Sequence, residues 1–193
     1  MKIWIDILTP KQLVFFEPLI KKLGKNHELL CTSRDYGEAT ELAKIRKLNV
    51  MIVGRYGGGE KAGKLLANIN RMSSLFKIIT KFNPELTISF CSPDASRISF
   101  GLGIQHVAFC DSPHAEAVMK LTLPLIQKLL VPWIIPKKEF VKYGIEPKNI
   151  IPYRAIDAAI TIKRQSIKNQ NLFKKSKKKR ILIRMNEEQS AYG

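Results

Sequence analysis

The 193-residue chain has few cysteines, and their spacing does not suit a scaffold that depends on cysteine. Cys31, Cys91 and Cys110 are odd in number, and no Cys-x-x-Cys pair occurs among them. Small disulfide-stapled secreted domains carry an even set of cysteines, and structural zinc sites need closely spaced ligands. The sequence argues against both classes and favours a protein of the reducing cytosol.

A long uninterrupted hydrophobic run is also lacking. The most apolar stretch, Leu121–Ile135, contains Pro124, Lys128 and Pro132, and it is shorter than the ~20 residues of a membrane-spanning helix. The opening residues, Met1–Leu8, lack the apolar core and small-residue cleavage site of a signal peptide. We therefore predict a cytoplasmic protein with no transmembrane segment, and peripheral membrane contact stays an open alternative.

Acidic residues are scarce. The chain has 16 Asp and Glu against 33 Lys and Arg, which gives a net charge of +17. Such an excess is typical of proteins that bind nucleic acid or anionic membranes. Nine of the basic residues, however, lie in the acid-free segment 163–180, which we interpret as a solvated linker. Because no aromatic stacking platform accompanies it, nucleic acid is disfavoured as a partner.

What the sequence does contain is an alternation of short β-branched runs with longer segments of helical period. Strands are predicted at Ile3–Leu8, Glu28–Thr32, Val50–Val53, Leu86–Cys91, Gln105–Cys110 and Lys128–Trp133. Helices are predicted at Lys11–Lys22, Tyr36–Leu48, Lys61–Phe82, Pro93–Gly101 and Pro113–Leu121. This alternation predicts an α/β, Rossmann-like three-layer fold with a mainly parallel sheet, which binds its ligand at the carboxyl ends of the strands.

The same pattern predicts the domain organisation. Residues 1–162 form the Rossmann-like lobe, and 163–180 form the basic linker. After the linker, Ile181–Met185 again has the character of a strand, so that 181–193 is predicted to be the truncated start of a second lobe. A lone strand has no sheet to join. We therefore expect a C-terminal lobe as partner, either missing from this chain or separately encoded.

Ser-Pro pairs follow two adjacent strands, at Ser92-Pro93 and Ser112-Pro113. Serine caps a helix and proline suits its first position, so each pair predicts a helix start; both serines are also candidates for substrate contact. Capping does not account for Asp111 or His114, and Asp94 would bring a carboxylate to the same crevice. These three are the acid/base candidates, since a carboxylate beside a histidine can orient it for proton transfer.

Two further loops supply candidate substrate-binding residues, namely Thr9, Lys11, Gln12, Arg55, Gly57 and Gly58. The first loop also reads as a helix cap followed by proline. The glycines of the other loop allow backbone N–H groups to approach a phosphate or a sugar.

Two chemical signatures are incomplete. The stretch from Gly58 to Lys64 matches the P-loop spacing, but Leu65 stands where a P-loop needs a Ser or Thr hydroxyl for magnesium, which excludes an NTPase. His27 and His106 have no second ligand at metal-site spacing. Both histidines are predicted to be structural, and no metal site is predicted.

Four strings carry a family resemblance: residues 4–12 (WIDILTPKQ), 54–58 (GRYGG), 111–117 (DSPHAEA) and 132–136 (PWIIP). On these strings the chain resembles, over essentially its whole length, the archaeal-type family catalogued as domain of unknown function 354. That family is in turn similar to GT-B glycosyltransferases and to non-hydrolysing UDP-N-acetylglucosamine 2-epimerases. The resemblance implies the N-terminal lobe of a GT-B-type fold, in which two lobes face each other across a cleft.

The resemblance also implies a division of roles between the lobes. The second lobe holds the nucleotide-sugar donor, so this lobe is expected to bind no cofactor of its own. The first lobe contacts the acceptor, a sugar or a lipid-linked molecule, and often supplies the catalytic base. By position, the two acids of the epimerases fall on Asp94 and Asp111, whereas His114 belongs to the motif of the closer family.

Four functions are compatible with these residues. The leading hypothesis is the N-terminal lobe of a GT-B-type glycosyltransferase, inactive alone, with Asp111 or His114 as base and Asp94 orienting the substrate. The alternatives are a binding or regulatory lobe that pairs with a separately encoded C-terminal half, a nucleotide-sugar 2-epimerase-like enzyme, and a basic binder of nucleic acid or anionic membranes.

Overall fold

The computed structural model describes residues 1–156, together with residues 159, 181 and 183. Its strands are β1 (Lys2–Ile7), β2 (Glu28–Asp35), β3 (Met51–Arg55), β4 (Leu86–Ser89), β5 (Gln105–Phe109), β6 (Lys128–Pro132) and β7 (Ile150–Tyr153). They form one seven-stranded sheet in the order β3-β2-β1-β4-β5-β6-β7, and every pairing in it is parallel. The predicted Rossmann-like α/β fold is confirmed.

Helices connect the strands. They are α1 (Pro10–Leu23), α2 (Gly37–Ile45), α3 (Lys61–Phe82), α4 (Pro93–Leu102), α5 (Glu116–Thr122) and α6 (Lys138–Val141), with short 3-10 turns at Leu123–Leu125 and Pro147–Asn149. The Thr9 hydroxyl caps α1 by accepting the backbone N–H of Gln12 at 3.3 Å. The Ser92 hydroxyl caps α4 by accepting the N–H of Ala95 at 3.3 Å. Both predicted caps are confirmed.

Helix α5 begins later than predicted. It starts at Glu116, and the Ser112 hydroxyl donates to Asp111 Oδ1 at 2.8 Å instead of capping a helix. The predicted helix start at Pro113 is therefore wrong, because the serine takes a side-chain partner in place of a backbone N–H. Strand β7 and the short helix α6 are absent from the sequence prediction. Strand β7 has only four residues and includes Pro152, which weakens the strand signal.

Apolar layers cover both faces of the sheet because the central strand β1 alternates its side chains. Ile5 packs in one cluster with Phe16 of α1. Its neighbour Trp4, fully buried, packs in the other cluster with Leu75 of α3. The next residue on the α3 side is Asp6, which is therefore a charged group inside the fold.

Two predicted segments lie outside the described residues, wholly or nearly so. The basic linker 163–180 is not described, and of 181–193 only Ile181 and Ile183 are. Those two have no regular secondary structure and are 84% and 79% exposed. The linker and the start of a second lobe stay predictions. Within the described part of the chain, no helix combines the length and apolar character that crossing a membrane requires.

Candidate functional site

A cleft of about 730 Å³ lies at the carboxyl edge of the sheet. Its walls come from the loops after β1, β2, β3, β4 and β5, with parts of α3 and α5. The direction in which the chain adds strands to the sheet reverses between β1 and β4. Open parallel sheets bind their ligands in the crevice at such a switch point. The cleft therefore occupies the position at which a ligand site is expected.

At the floor of the cleft, Arg71 of α3 joins two carboxylates. Its Nη2 donates to Asp6 Oδ1 at 2.6 Å, and its Nη1 donates to Asp94 Oδ2 at 2.5 Å. Nη1 also lies 3.2 Å from Asp6 Oδ2, and Nε donates to the carbonyl oxygen of Val53 at 2.9 Å. Asp6, Arg71 and Asp94 are all buried; we call them the buried triad. It holds β1, β3, α3 and α4 together through charge-assisted hydrogen bonds.

Asp6 is stabilised as an anion. Burial by itself raises the pKa of a carboxyl, but the charge and hydrogen bonds of Arg71 and the hydroxyls of Ser92 and Thr32 outweigh it, so the pKa of Asp6 lies below its usual value. The two hydroxyls donate to Asp6 at 2.7 and 2.6 Å. With both oxygens engaged, Asp6 acts as a structural anion.

Asp94 has a different balance of forces. It lines the cleft and is 6% exposed. Burial raises the pKa of Asp94, the charge of Arg71 opposes this only in part, and Asp6 adds repulsion. The side-chain amide of Asn68 donates to the oxygen that does not face Arg71. Asp94 is consequently the member of the triad that takes up a proton more easily.

A second ion pair lies on the wall of the cleft. Lys11 Nζ, in the first turn of α1, donates to Asp111 Oδ2, just after β5. The Ser112 hydroxyl donates to the other carboxylate oxygen at 2.8 Å. The side chains of Lys11 and Asp111 are 52% and 22% exposed, so that a ligand can reach both. The structure thus brings two of the predicted site residues into direct contact.

Most of the other predicted residues also reach the cleft. Those that line it are Thr9, Lys11, Gln12, Arg55, Gly57, Asp94, Asp111 and Ser112. Ser92 lies below it, 0% exposed, with its hydroxyl bound to Asp6. His114 is exposed, and neither it nor Gly58 belongs to the lining. Asp111 is therefore better placed than His114 to meet a substrate, and substrate contact at each position stays a prediction.

One end of the cleft is cationic, namely the end formed by residues at and after the carboxyl ends of β2 and β3. Arg34, Arg55 and Lys64 line it, and we call these three residues the cationic end. Within the described chain, none of them forms an ion pair with an acidic residue. The guanidinium carbon of Arg34 lies 5.6 and 5.1 Å from the ring centroids of Tyr36 and Tyr56. Those rings meet edge to face at 5.2 Å, and the arginine is held against both.

Sequence reasoning missed Asp6, Arg71 and two members of the cationic end, Arg34 and Lys64. A signal existed for the first pair. An aspartate inside an apolar strand, and an arginine on the helix face that also carries Leu75, are charges in buried positions, and such charges need partners. No comparable pattern marks the two cationic residues, whose position depends on how the loops fold.

Metal-binding geometry is not found among the residues that the structure describes: they contain no group of three or more His, Cys, Asp or Glu that could hold an ion. His106 is buried, with Nε2 2.9 Å from Ser89 Oγ. Burial lowers the pKa of His106 to about 4, so that its ring is neutral at physiological pH.

Comparison with known proteins identifies the family. The family described as protein of unknown function (DUF354) matches residues 1–192. The chain belongs to this family. An uncharacterized protein of Methanocaldococcus jannaschii is 32% identical to the chain over 145 residues, which are 75% of this chain and 42% of that protein. The resemblance seen in the sequence strings is confirmed.

Solved structures share the fold of this DUF354 chain. The UDP-GlcNAc 2-epimerase of M. jannaschii, in complex with UDP-GlcNAc and UDP, matches with a TM-score of 0.70 and 17% identity, over 89% of this chain and 52% of that one. The spinosyn rhamnosyltransferase SpnG, complexed with spinosyn aglycone, matches with a TM-score of 0.52 and 15% identity, over 68% and 45%. The chain thus spans about half the length of these relatives. At such identities the likeness concerns the fold, which is of the GT-B kind.

Proposed function

We propose that this chain is the N-terminal, acceptor-side lobe of a nucleotide-sugar-dependent enzyme, with glycosyl transfer as its reaction. The observation that carries the proposal is the Lys11–Asp111 pair, which lies at the mouth of a cleft at the topological switch point of the sheet. The proteins that share the fold support it, since one is a sugar-nucleotide epimerase and another a rhamnosyltransferase.

In this proposal Asp111 is the general base. Its carboxylate accepts the proton of an acceptor hydroxyl while the hydroxyl oxygen attacks the anomeric carbon of the donor and the nucleoside diphosphate departs. Lys11 and Ser112 hold the carboxylate in one orientation. Asp94 is a positioning residue, because it is only 6% exposed and bonded to the buried Arg71, whereas the Asp111 side chain is 22% exposed and open to an acceptor. His114, the other predicted base, is disfavoured because it lies outside the cleft lining.

A second lobe completes the enzyme in this proposal. The proposal of a second lobe is made by analogy with relatives that are about twice as long as this chain. The second lobe would face the cleft and hold the donor. It is either continuous with this chain or separately encoded. The lobe described here would then bind an acceptor, a sugar or a lipid-linked molecule, and show no turnover alone.

Substitution of Asp111 tests the proposal. In the full-length protein, with its second lobe present, Asp111→Asn should lower turnover of a nucleotide-sugar donor by about 10²- to 10⁴-fold, the usual contribution of a general base. The matched control is Glu139→Gln, which also removes an ion-paired carboxylate, 3.2 Å from Lys142, but on the outer surface. Turnover unchanged by Asp111→Asn, in a variant with unaltered thermal unfolding, would remove Asp111 as the base.

A 2-epimerase-like reaction is the second candidate. It is favoured by the TM-score of 0.70 with an epimerase and by two carboxylates, Asp94 and Asp111, at the ends of adjacent strands. Product analysis separates the candidates. An epimerase changes the configuration of the nucleotide sugar with no acceptor present, whereas a glycosyltransferase consumes the donor only when an acceptor hydroxyl is supplied.

A further inference from the structure

The charges that line the cleft are unevenly paired. Lys11 is bonded to Asp111, and Arg71 to Asp94 and to Asp6 beneath it. The three residues of the cationic end have no such partner in the described part of the chain. One end of the cleft thus carries three positive charges that a ligand can neutralise.

Arg34 is the most informative of the three, because it is half-buried and its Nε, which is fully shielded from solvent, has no hydrogen-bond partner among the residues that the structure describes. A buried N–H left unpaired costs free energy that a ligand acceptor would recover. Burial, followed by repulsion from Arg71, lowers the pKa of Arg34, so that a nearby anion would restore favourable electrostatics. Tyr36 and Tyr56 hold the guanidinium plane in place.

The loop geometry brings the other two cations to the same place. Arg55 ends β3, which is paired with β2 at Asp35, the residue next to Arg34. Lys64 lies close to this loop because residue 57 is a glycine: a Cβ atom on Gly57 would lie only 2.6 Å from the Lys64 Cα. The absence of a side chain at Gly57 is what allows the first turn of α3 to pack against the loop. Three cations from three elements therefore converge on one end of the cleft.

We infer that the cationic end binds a phosphoryl group of the substrate through Arg34, Arg55 and Lys64. A planar guanidinium presents paired donors that match phosphate oxygens, and two additional cations suit a ligand with more than one negative charge better than a single carboxylate. The inference deepens the proposed function and rests on it, since it makes the substrate of the same cleft a phosphorylated molecule. The phosphoryl group belongs either to the diphosphate of a nucleotide sugar or to a phosphorylated acceptor.

Calorimetric titration of the full chain with inorganic pyrophosphate tests the site. Arg34→Gln should weaken binding by about tenfold or more, the range for loss of a charge-assisted hydrogen bond. Arg34→Lys should fall between, since it keeps the charge and loses the planar fork. Because Arg34→Gln can also loosen the packing of Tyr36 and Tyr56, Arg55→Gln and Lys64→Gln provide a second measurement. Each of these two variants should bind pyrophosphate more weakly than the parent, and its affinity should change less with salt concentration.

Matched controls carry the same substitutions away from the cleft. The control variants are Arg97→Gln and Lys77→Gln. Arg97 lies on the exposed face of α4 and Lys77 on the exposed face of α3, and neither residue lines the cleft. Both variants should bind pyrophosphate as the parent does. If the three cationic-end variants bind as these controls do, or if the parent fails to bind pyrophosphate, the inference is overturned.

Competition identifies the source of the phosphoryl group. Displacement of pyrophosphate by uridine diphosphate supports a nucleotide donor, and displacement by a sugar phosphate but not by uridine diphosphate supports a phosphorylated acceptor. The two proposals can also fail independently of each other. If pyrophosphate binding depends on Arg34 but the full-length protein turns over no nucleotide sugar, the phosphoryl site stands and the proposed function is refuted. If the full-length protein turns over a nucleotide sugar but the variants bind pyrophosphate as the parent does, the proposed function stands and the phosphoryl site is refuted.

Discussion

The buried triad makes a strong prediction about stability. Arg71→Met keeps most of the side-chain volume and removes the guanidinium, which makes four hydrogen bonds to Asp6, Asp94 and Val53. Two buried carboxylates then lose the guanidinium that bonds to both, and the attraction of Arg34 for Asp94, which involves no ion pair, does not replace it. Breaking a buried ion pair from one side costs about 3–5 kcal/mol. For a domain whose whole stability is about 5–15 kcal/mol, such a loss is large.

The loss should depend on pH. Without Arg71, burial raises the pKa of both carboxyls above the unfolded value of about 3.9. The folded variant then binds protons more tightly than its unfolded chain, so its stability falls as the pH rises. The difference in unfolding free energy between the parent and Arg71→Met should therefore be largest near pH 7 and shrink as the pH approaches 4.

Urea unfolding at a series of pH values measures this difference, with an unchanged slope showing that both proteins unfold the same surface. Arg97→Met on the exposed face of α4 is the control and should change stability by no more than about 0.5 kcal/mol. A loss below about 1 kcal/mol for Arg71→Met, or a loss that stays constant from pH 4 to 7, would refute the account of the triad as a charge-compensated network.

Two further variants test packing and titration. Gly57→Ala should destabilise the fold by about 1–3 kcal/mol because its Cβ would lie 2.6 Å from the Lys64 Cα, whereas Gly59→Ala, with open space around it, should not lower the urea midpoint. His106 is neutral in the fold with a pKa of about 4, below the unfolded value of about 6.5, so parent stability should decline as the pH falls from 6.5 towards 4. His106→Gln should lose that decline in pH-dependent thermal unfolding, and a persisting decline would assign it to other groups.

Long periodic elements could be predicted from the sequence with good bounds. Helix α3 was expected at Lys61–Phe82 and is observed there, because its apolar positions repeat at helical spacing over 22 residues. Strand β7 was missed, since four residues that include Pro152 carry too little pattern. The start of α5 was misplaced at Pro113, because a Ser-Pro pair predicts a cap only when the serine has no closer partner, and here Asp111 provides one.

The position of the candidate site could be predicted, but its contacts could not. Parallel strands bring their carboxyl ends to one edge, which placed Lys11, Asp94 and Asp111 at the cleft. The bonds themselves join residues far apart in the chain. Arg71 and Asp6 are 65 positions apart, and Lys11 and Asp111 are 100 apart. No local periodicity of the sequence predicts such pairs. A charged residue inside an apolar helix or strand indicates only that it must have some partner.

The triad also sets the electrostatics of the cleft above it. Of its charges, Arg71 acts most strongly on the half-buried Arg34 and repels it, and the attraction of Asp94 offsets that repulsion only in part. The triad therefore leaves the three cations of the cationic end for a ligand to neutralise. An anion with more than one negative charge suits that end better than a singly charged one. Because Arg71 and Asp94 belong both to the network that stabilises the fold and to the surroundings of Arg34, removing the guanidinium or protonating Asp94 should change the stability of the fold and the potential of the cationic end together.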